Sequence, residues 1–192
     1  AMFALIIFTL MIFSVLNGIQ DVSSEQPERV TGGYDIKASI SPELPIKGDI
    51  KDSLNIDDFS VVAASSNIPI EVKELAGESE TYKSSKLVSL ENDFIESTKW
   101  RMAHFDPKYG STDREIWNAV LNDPDLVIAN ATIIPSGDPF GPPDRSFKTS
   151  YITPGDPKEM KSFDVQMRKR RSSSEPQNLT VIGVIERLAS GT

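Results

Sequence analysis

The sequence predicts an α+β protein, a mixed sheet with a few short helices, preceded by an apolar helix of transmembrane type. Three observations carry this expectation. Short β-type runs recur between proline- and glycine-rich breaks, one well-capped amphipathic helix feeds directly into an apolar run, and the first 20 residues lack any charged side chain. A chain of 192 residues can form one substantial domain plus an anchoring helix. Its 39% hydrophobic and 25% charged residues are those of a folding chain rather than a disordered one. The expected division is therefore a helix over residues 1–20 and a folded domain over residues 21–192.

Residues 1–20 contain only apolar and small polar side chains. A helix of about 20 residues rises roughly 30 Å, the thickness of a bilayer's hydrocarbon core. A cleaved signal peptide is the alternative, although it calls for a basic n-region and a small-residue cleavage site, and neither is clear here. After Gln20 the chain turns polar and acidic, and Pro27 ends any continuous helix. Asp21, Glu25 and Glu28 against the single Arg29 do not make a cytoplasmic-type flank, which places the following domain outside the membrane. Two glycosylation sequons, at Asn130 and Asn178, are compatible with that side.

Gly32 and Gly33 open a turn into an alternating strand with Tyr34, Ile36, Ala38 and Ile40 on one face. Residues 59–64 and 86–90 are apolar runs of strand type, with a polar hairpin-like stretch over residues 76–82 between them. Residues 91–98 read as a short acid-led helix turning Phe94, Ile95 and Thr98 inward. Residues 111–121 form a clearer helix: Ser111 and Thr112 cap it, acids fill its first turn, and Ile116, Trp117, Val120 and Leu121 make its apolar stripe. Asn122, Asp123 and Pro124 stop it, and residues 125–131 follow as a buried-type strand. Prolines and glycines make residues 135–143 irregular. Two late strands, residues 162–169 and 178–187, are expected to pair as a hairpin, the second with Val181, Gly183 and Ile185 alternating against Ile182 and Val184.

Composition removes several function classes. A net charge of −8 opposes a phosphate backbone, so nucleic acid is not an expected partner. With no cysteine there are no disulfides, thiol nucleophiles or thiolate metal sites. The single histidine, His104, sits among large side chains as a packing or surface residue. Asp49, Asp52, Asp57 and Asp58 lack the alternating spacing of a calcium loop, so no metal is expected, and the absence of a phosphate-binding glycine motif leaves no cofactor in this chain. Asp106, Asp113 and Glu115 could serve a secreted hydrolase only as carboxylates, and their spacing singles out no pair. Arg168, Lys169, Arg170 and Arg171 form a basic cluster at the expected hairpin tip, suited to anionic lipid or an acidic partner, or simply a solvated loop.

In order along the chain, several stretches resemble the extracytoplasmic domain of FtsX/MacB-like ABC transporter permeases. They are the apolar helix leading into Thr31-Gly32-Gly33-Tyr34-Asp35-Ile36, residues 111–120 with residues 123–128, and Leu179-Thr180-Val181-Ile182-Gly183-Val184-Ile185. The resemblance implies a porter-like outer domain standing between the first two membrane helices of a permease, with residues 21–192 outside the cell membrane. It implies no catalytic residues here. ATP would be used only by a separate cytoplasmic ABC ATPase subunit, acting through the rest of a homodimeric or heterodimeric permease to export or release a cargo or to transmit force. Gly32 and Gly33 would then be a hinge, where the plain alternative is an ordinary turn. A membrane-tethered or secreted, non-enzymatic binding module is the competing reading.

Overall fold

The computed structural model describes residues 31–36, 58–76, 81–135, 146–153, 155–171 and 175–186. The chain divides into two units, residues 1–45 with 188–192, and residues 46–187. The expected apolar helix over residues 1–20 and the proline-rich stretch after Pro135 lie outside the described residues, and among those described no helix is long and apolar enough to cross a membrane. Of the smaller unit only residues 31–36 are described. Gly32 and Gly33 both have positive φ, 75° and 96°, so a turn is present, but Tyr34, Asp35 and Ile36 are not in a strand. A positive φ is what glycine supplies without steric cost.

Among its described residues the larger unit forms a mixed six-stranded sheet with two α-helices, as expected for an α+β fold. In chain order it runs β1 (Ser65–Glu74), β2 (Lys83–Leu90), α1 (Asn92–Ser97), β3 (Met102–Phe105), α2 (Asp113–Asn122), β4 (Leu126–Asn130), β5 (Phe163–Lys169) and β6 (Gln177–Ile185). The hairpins β1–β2 and β5–β6 both form, and β1 also pairs antiparallel with β5. The first strand is displaced from its expected place: residues 59–64 are irregular, and Ser65–Glu74, with polar residues interleaved, takes the ladder instead. Pairing on both edges outweighed the weaker apolar pattern of that segment. Strand β3 was not expected at all, because its four residues are too short to show a period.

Strand β6 organises the sheet. Parallel β4 pairs with Thr180 through Ile185, β5 with Gln177 through Val181, and β3 with Gly183 through Ile185. A strand has two edges, and β4 shares paired residues with both β3 and β5, so β3 and β5 lie end to end along the edge opposite β4. The amide of Asp106 donates to the Ile182 carbonyl at 2.9 Å and fills the junction between them. All five residues from Val181 to Ile185 are buried, as a strand covered on both faces requires.

Simple alternation along β6 fails at one point. The register against β4 steps from Val127↔Val181 to Ile128↔Gly183, which leaves Ile182 as the extra residue of a bulge. Beyond the bulge the side chains change face. Val181 and Val184 therefore join one cluster with Ile70, Val72, Phe163, Val165, Phe147 and Ile152. Gly183 faces α2, where a Cβ would stand 3.2 Å from Ile116 Cγ2 and 3.4 Å from Met102 Sδ.

The helices cover that second face. Thr112 accepts from the Glu115 amide while the Glu115 carboxylate accepts from the amides of Ser111 and Thr112, a capping box that starts α2 as expected. Ile116 is 0% and Trp117 4% exposed. Phe94, Ile95 and Thr98 turn inward as expected, and the ring of Phe94 lies 5.0 Å from Trp100, which lies 6.4 Å from Trp117. Arg114 ties the two helices by donating to the carbonyls of Ile95 at 2.7 Å and Thr98 at 3.2 Å. These carbonyls end α1, where helical partners run out.

Because α2 rests directly on Gly183, a branched side chain there must push the helix away. Gly183→Val is expected to destabilise the domain by about 1–3 kcal/mol, the usual cost of overpacking, read as a lower denaturation midpoint by circular dichroism.

Candidate functional site

The best-defined polar surface lies on the sheet face shared with the helices, over β1, β2 and β5. Ile70, Val72 and Val165 point into the apolar cluster, so Glu71, Lys73, Asp164, Gln166 and Arg168 point the other way. On that face the register sets Glu71 opposite Arg168, and Lys73 opposite Gln166. Arg168 donates to Glu71 Oε2 from Nε at 2.8 Å and from Nη2 at 2.7 Å. Its guanidinium lies 4.0 Å from the centroid of the Tyr82 ring, and Lys73 Nζ lies 5.2 Å from the same ring. The Tyr82 hydroxyl donates to Gln166 Oε1 at 2.6 Å, and Gln166 Nε2 donates to Asn178 Oδ1 at 3.1 Å.

This network changes the reading of the basic cluster. The Arg168–Glu71 pair is partly exposed, so it contributes only about 0.2–1 kcal/mol, and the face-on contact with Tyr82 about 0.5–1 kcal/mol. Their effect is orientation: Arg168 is clamped to the sheet, Lys169 is the exposed last residue of β5, and Arg170 and Arg171 stand exposed on the turn beyond it. Arg171 takes a φ of 59°, and the Arg170 amide donates to the Pro69 carbonyl at 3.3 Å, so the turn is pinned against β1. Glu71, Lys73 and Tyr82 were invisible as partners in the sequence, since only the strand register brings them to Arg168.

The other candidates are dispersed. Gly32 and Gly33 belong to the smaller unit. His104 sits on β3 with Nδ1 2.9 Å from the Pro157 carbonyl. Asp49, Asp52 and Asp57 lie outside the described residues. Among the sequons, Asn130 Oδ1 accepts from the Thr132 amide and caps a 3-10 turn, and Asn178 Oδ1 is used by Gln166.

Each carboxylate considered for catalysis serves the chain itself. Asp106 stands where β3 gives way to β5 and accepts from the amides of Lys108 at 2.9 Å and Ser162 at 2.8 Å. Burial, the largest single influence, pushes its carboxyl upward, but those amides, the Ser162 hydroxyl and the Lys108 charge outweigh it and hold Asp106 below its ordinary value. Glu115 is held low by the Ser111 amide and hydroxyl and the Thr112 donors. Asp156 is held low by the Thr153 amide and hydroxyl. Asp113 faces Lys158 at 3.5 Å.

A shallow groove of about 480 Å³ runs between residues 59–62 and α1, lined by Phe59, Val61, Val62, Asp93 and Glu96. No protein-family model, curated protein or solved structure matches the chain.

The lowered carboxylates set the acid limb of stability. A carboxyl whose folded value lies below its unfolded one, near pH 4, contributes fully above that pH and loses its contribution as pH falls through the folded value. Stability is therefore expected to be flat from neutral to about pH 5 and to fall steeply below about pH 4. Asp106→Asn should lower stability at pH 7 and make the acid limb shallower, measured by urea unfolding across pH.

Proposed function

We propose that the larger unit is the non-catalytic outer domain of an FtsX/MacB-like ABC transporter permease, moved as a stiff body by the ATPase of a partner subunit. The observation that carries this reading is that the first and the last described stretches of the unit meet one short segment of chain. In the first, Phe59, Ser60, Val61 and Val62 line one groove with Asp93, Glu96 and Ser97 of α1, and the Ala64 amide donates to the Glu91 carboxylate at 3.0 Å. In the last, the Glu186 amide donates to the Arg101 carbonyl at 2.9 Å. Both described stretches thus flank the single short segment of residues 91–101. A domain inserted between two successive membrane helices has to bring its ends together in this way.

The segments that carry the resemblance support the same reading. Residues 111–120, 123–128 and 179–185 contribute α2, β4 and β6, which touch one another: β4 pairs with β6, and α2 rests on Gly183. A block of this kind can pass on a push without deforming, because a close-packed interior is nearly incompressible. The carboxylates are spent on backbone amides, which suits a lever better than a catalyst. In this reading residues 1–20 span the membrane, residues 21–192 stand outside it, the Gly32–Gly33 turn is the joint, and ATP binds only to the partner subunit of a dimeric permease. The cargo is a lipid, lipoprotein, peptide or drug, or none where the domain passes force to another protein.

The test uses the parent protein in its native membranes. The domain should be cut by protease added from outside, an ABC ATPase should co-purify with the protein, and spin labels at the exposed Asn118 of two permease copies should change separation when the ATPase is trapped with vanadate. Release of the domain into the medium, or an unchanged separation in an active complex, would remove the proposal in favour of a secreted or tethered binding module.

A further inference from the structure

Strand β2 ends the sheet, and among the described residues only the bridge from Ser84 to Ser146 is made to its outer edge. In an antiparallel ladder, alternate residues turn their N–H and C=O toward the neighbour and away from it. The Ser84 carbonyl accepts from the Phe147 amide at 3.0 Å, so Ser84 faces outward, and the Glu91 amide donates to Ala64 on the β1 side, so odd-numbered positions face inward. The register of β1 and β2 runs without a shift from Ser65↔Leu90 to Val72↔Lys83. Lys86, Val88 and Leu90 consequently turn their backbone groups away from β1. Beyond the bridge of Ser84 to Ser146, no strand or bridge among the described residues pairs with that edge. Val88 is also 45% exposed, which is unusual for a strand valine in this domain.

The charges on the strand indicate what it takes. Lys83 and Lys86 are exposed and β2 carries no acid. Of the described acids on the neighbouring segments, Glu71 is held by Arg168, and Glu91 accepts from the Ala64 amide. Lysines on an edge strand act against pairing with a second copy of the same strand, since like charges then meet. They favour an acidic strand for the same reason. The register sets Lys86 beside Pro69 of β1, whose carbonyl on the far side accepts from the Arg170 amide of the basic turn.

We propose that β2 is a docking edge for an extended acidic segment of a partner protein, which adds to the sheet through the backbone groups of Lys86, Val88 and Leu90 and is selected by Lys83 and Lys86. This inference is independent of the permease reading, because it uses only the sheet edge and its charges. Main-chain hydrogen bonds would supply the affinity of such an added strand, and the side chains on alternate positions its selectivity.

The experiment uses the full chain in detergent and two probes, an octapeptide alternating glutamate with valine and its lysine–valine counterpart, with amide hydrogen exchange as the readout. The glutamate peptide should slow exchange at Lys86, Val88 and Leu90 by about tenfold or more while the lysine peptide does not. Val88→Pro removes an outward N–H and no bond to β1, so it should abolish the protection and leave the melting temperature unchanged. Lys86→Glu should weaken the response to the glutamate peptide and raise that to the lysine peptide. Absence of protection, equal protection by both peptides, or protection that rises with protein concentration alone and so reports a second copy on the edge would each overturn the proposal.

Discussion

The domain depends on one strand that has no free side. Residues Val181 to Ile185 of β6 are buried on both faces, and its two edges take β4 on one and β3 with β5 on the other. Every residue of such a strand is constrained at once by register, by volume and by the need to satisfy its backbone. The bulge at Ile182 reconciles these demands. It lets Val181 and Val184 fill the same apolar cluster while Gly183 leaves room for α2 on the opposite face. With side chains of ordinary size in strict alternation, the helix could not lie so close to the sheet.

Asp106 shows how polar chemistry serves the same architecture. Its amide bonds to β6 between β3 and β5, and its carboxylate takes the amides of Lys108 and Ser162 where the two chain segments meet. The buried charge is compensated by donors that would otherwise be orphaned, so the pair of costs cancels. A similar economy holds at Glu115, which serves Ser111 and Thr112 ahead of α2. For a domain proposed to move as one body, carboxylates that lock loops to the sheet matter more than carboxylates that face a cleft.

The sequence made the strongly periodic and capped elements legible. Helix α2, with its Thr112 cap and the Ile116–Trp117 stripe, and the β5–β6 hairpin were readable because local chemistry and tertiary burial agree there. The position of β1, the existence of β3 and the face of Val184 were not readable. The first two depend on strand pairing across long stretches of chain, and the third on a bulge that no residue type announces. The basic cluster was visible as composition. Its division into a clamped Arg168 and an exposed turn follows from Glu71 and Tyr82, which lie 97 and 84 residues from their partners Arg168 and Gln166 along the chain.

Native-state hydrogen exchange, residue by residue, tests the central place of β6 most directly. If the fold hangs on this strand, the amides of Val181 to Val184 exchange only through global unfolding and report its full free energy, while β2 opens at lower cost. Exchange of the β6 amides by local opening, with β1 and β2 the slowest elements, would contradict the account and place the stabilising centre in the β1–β2 hairpin.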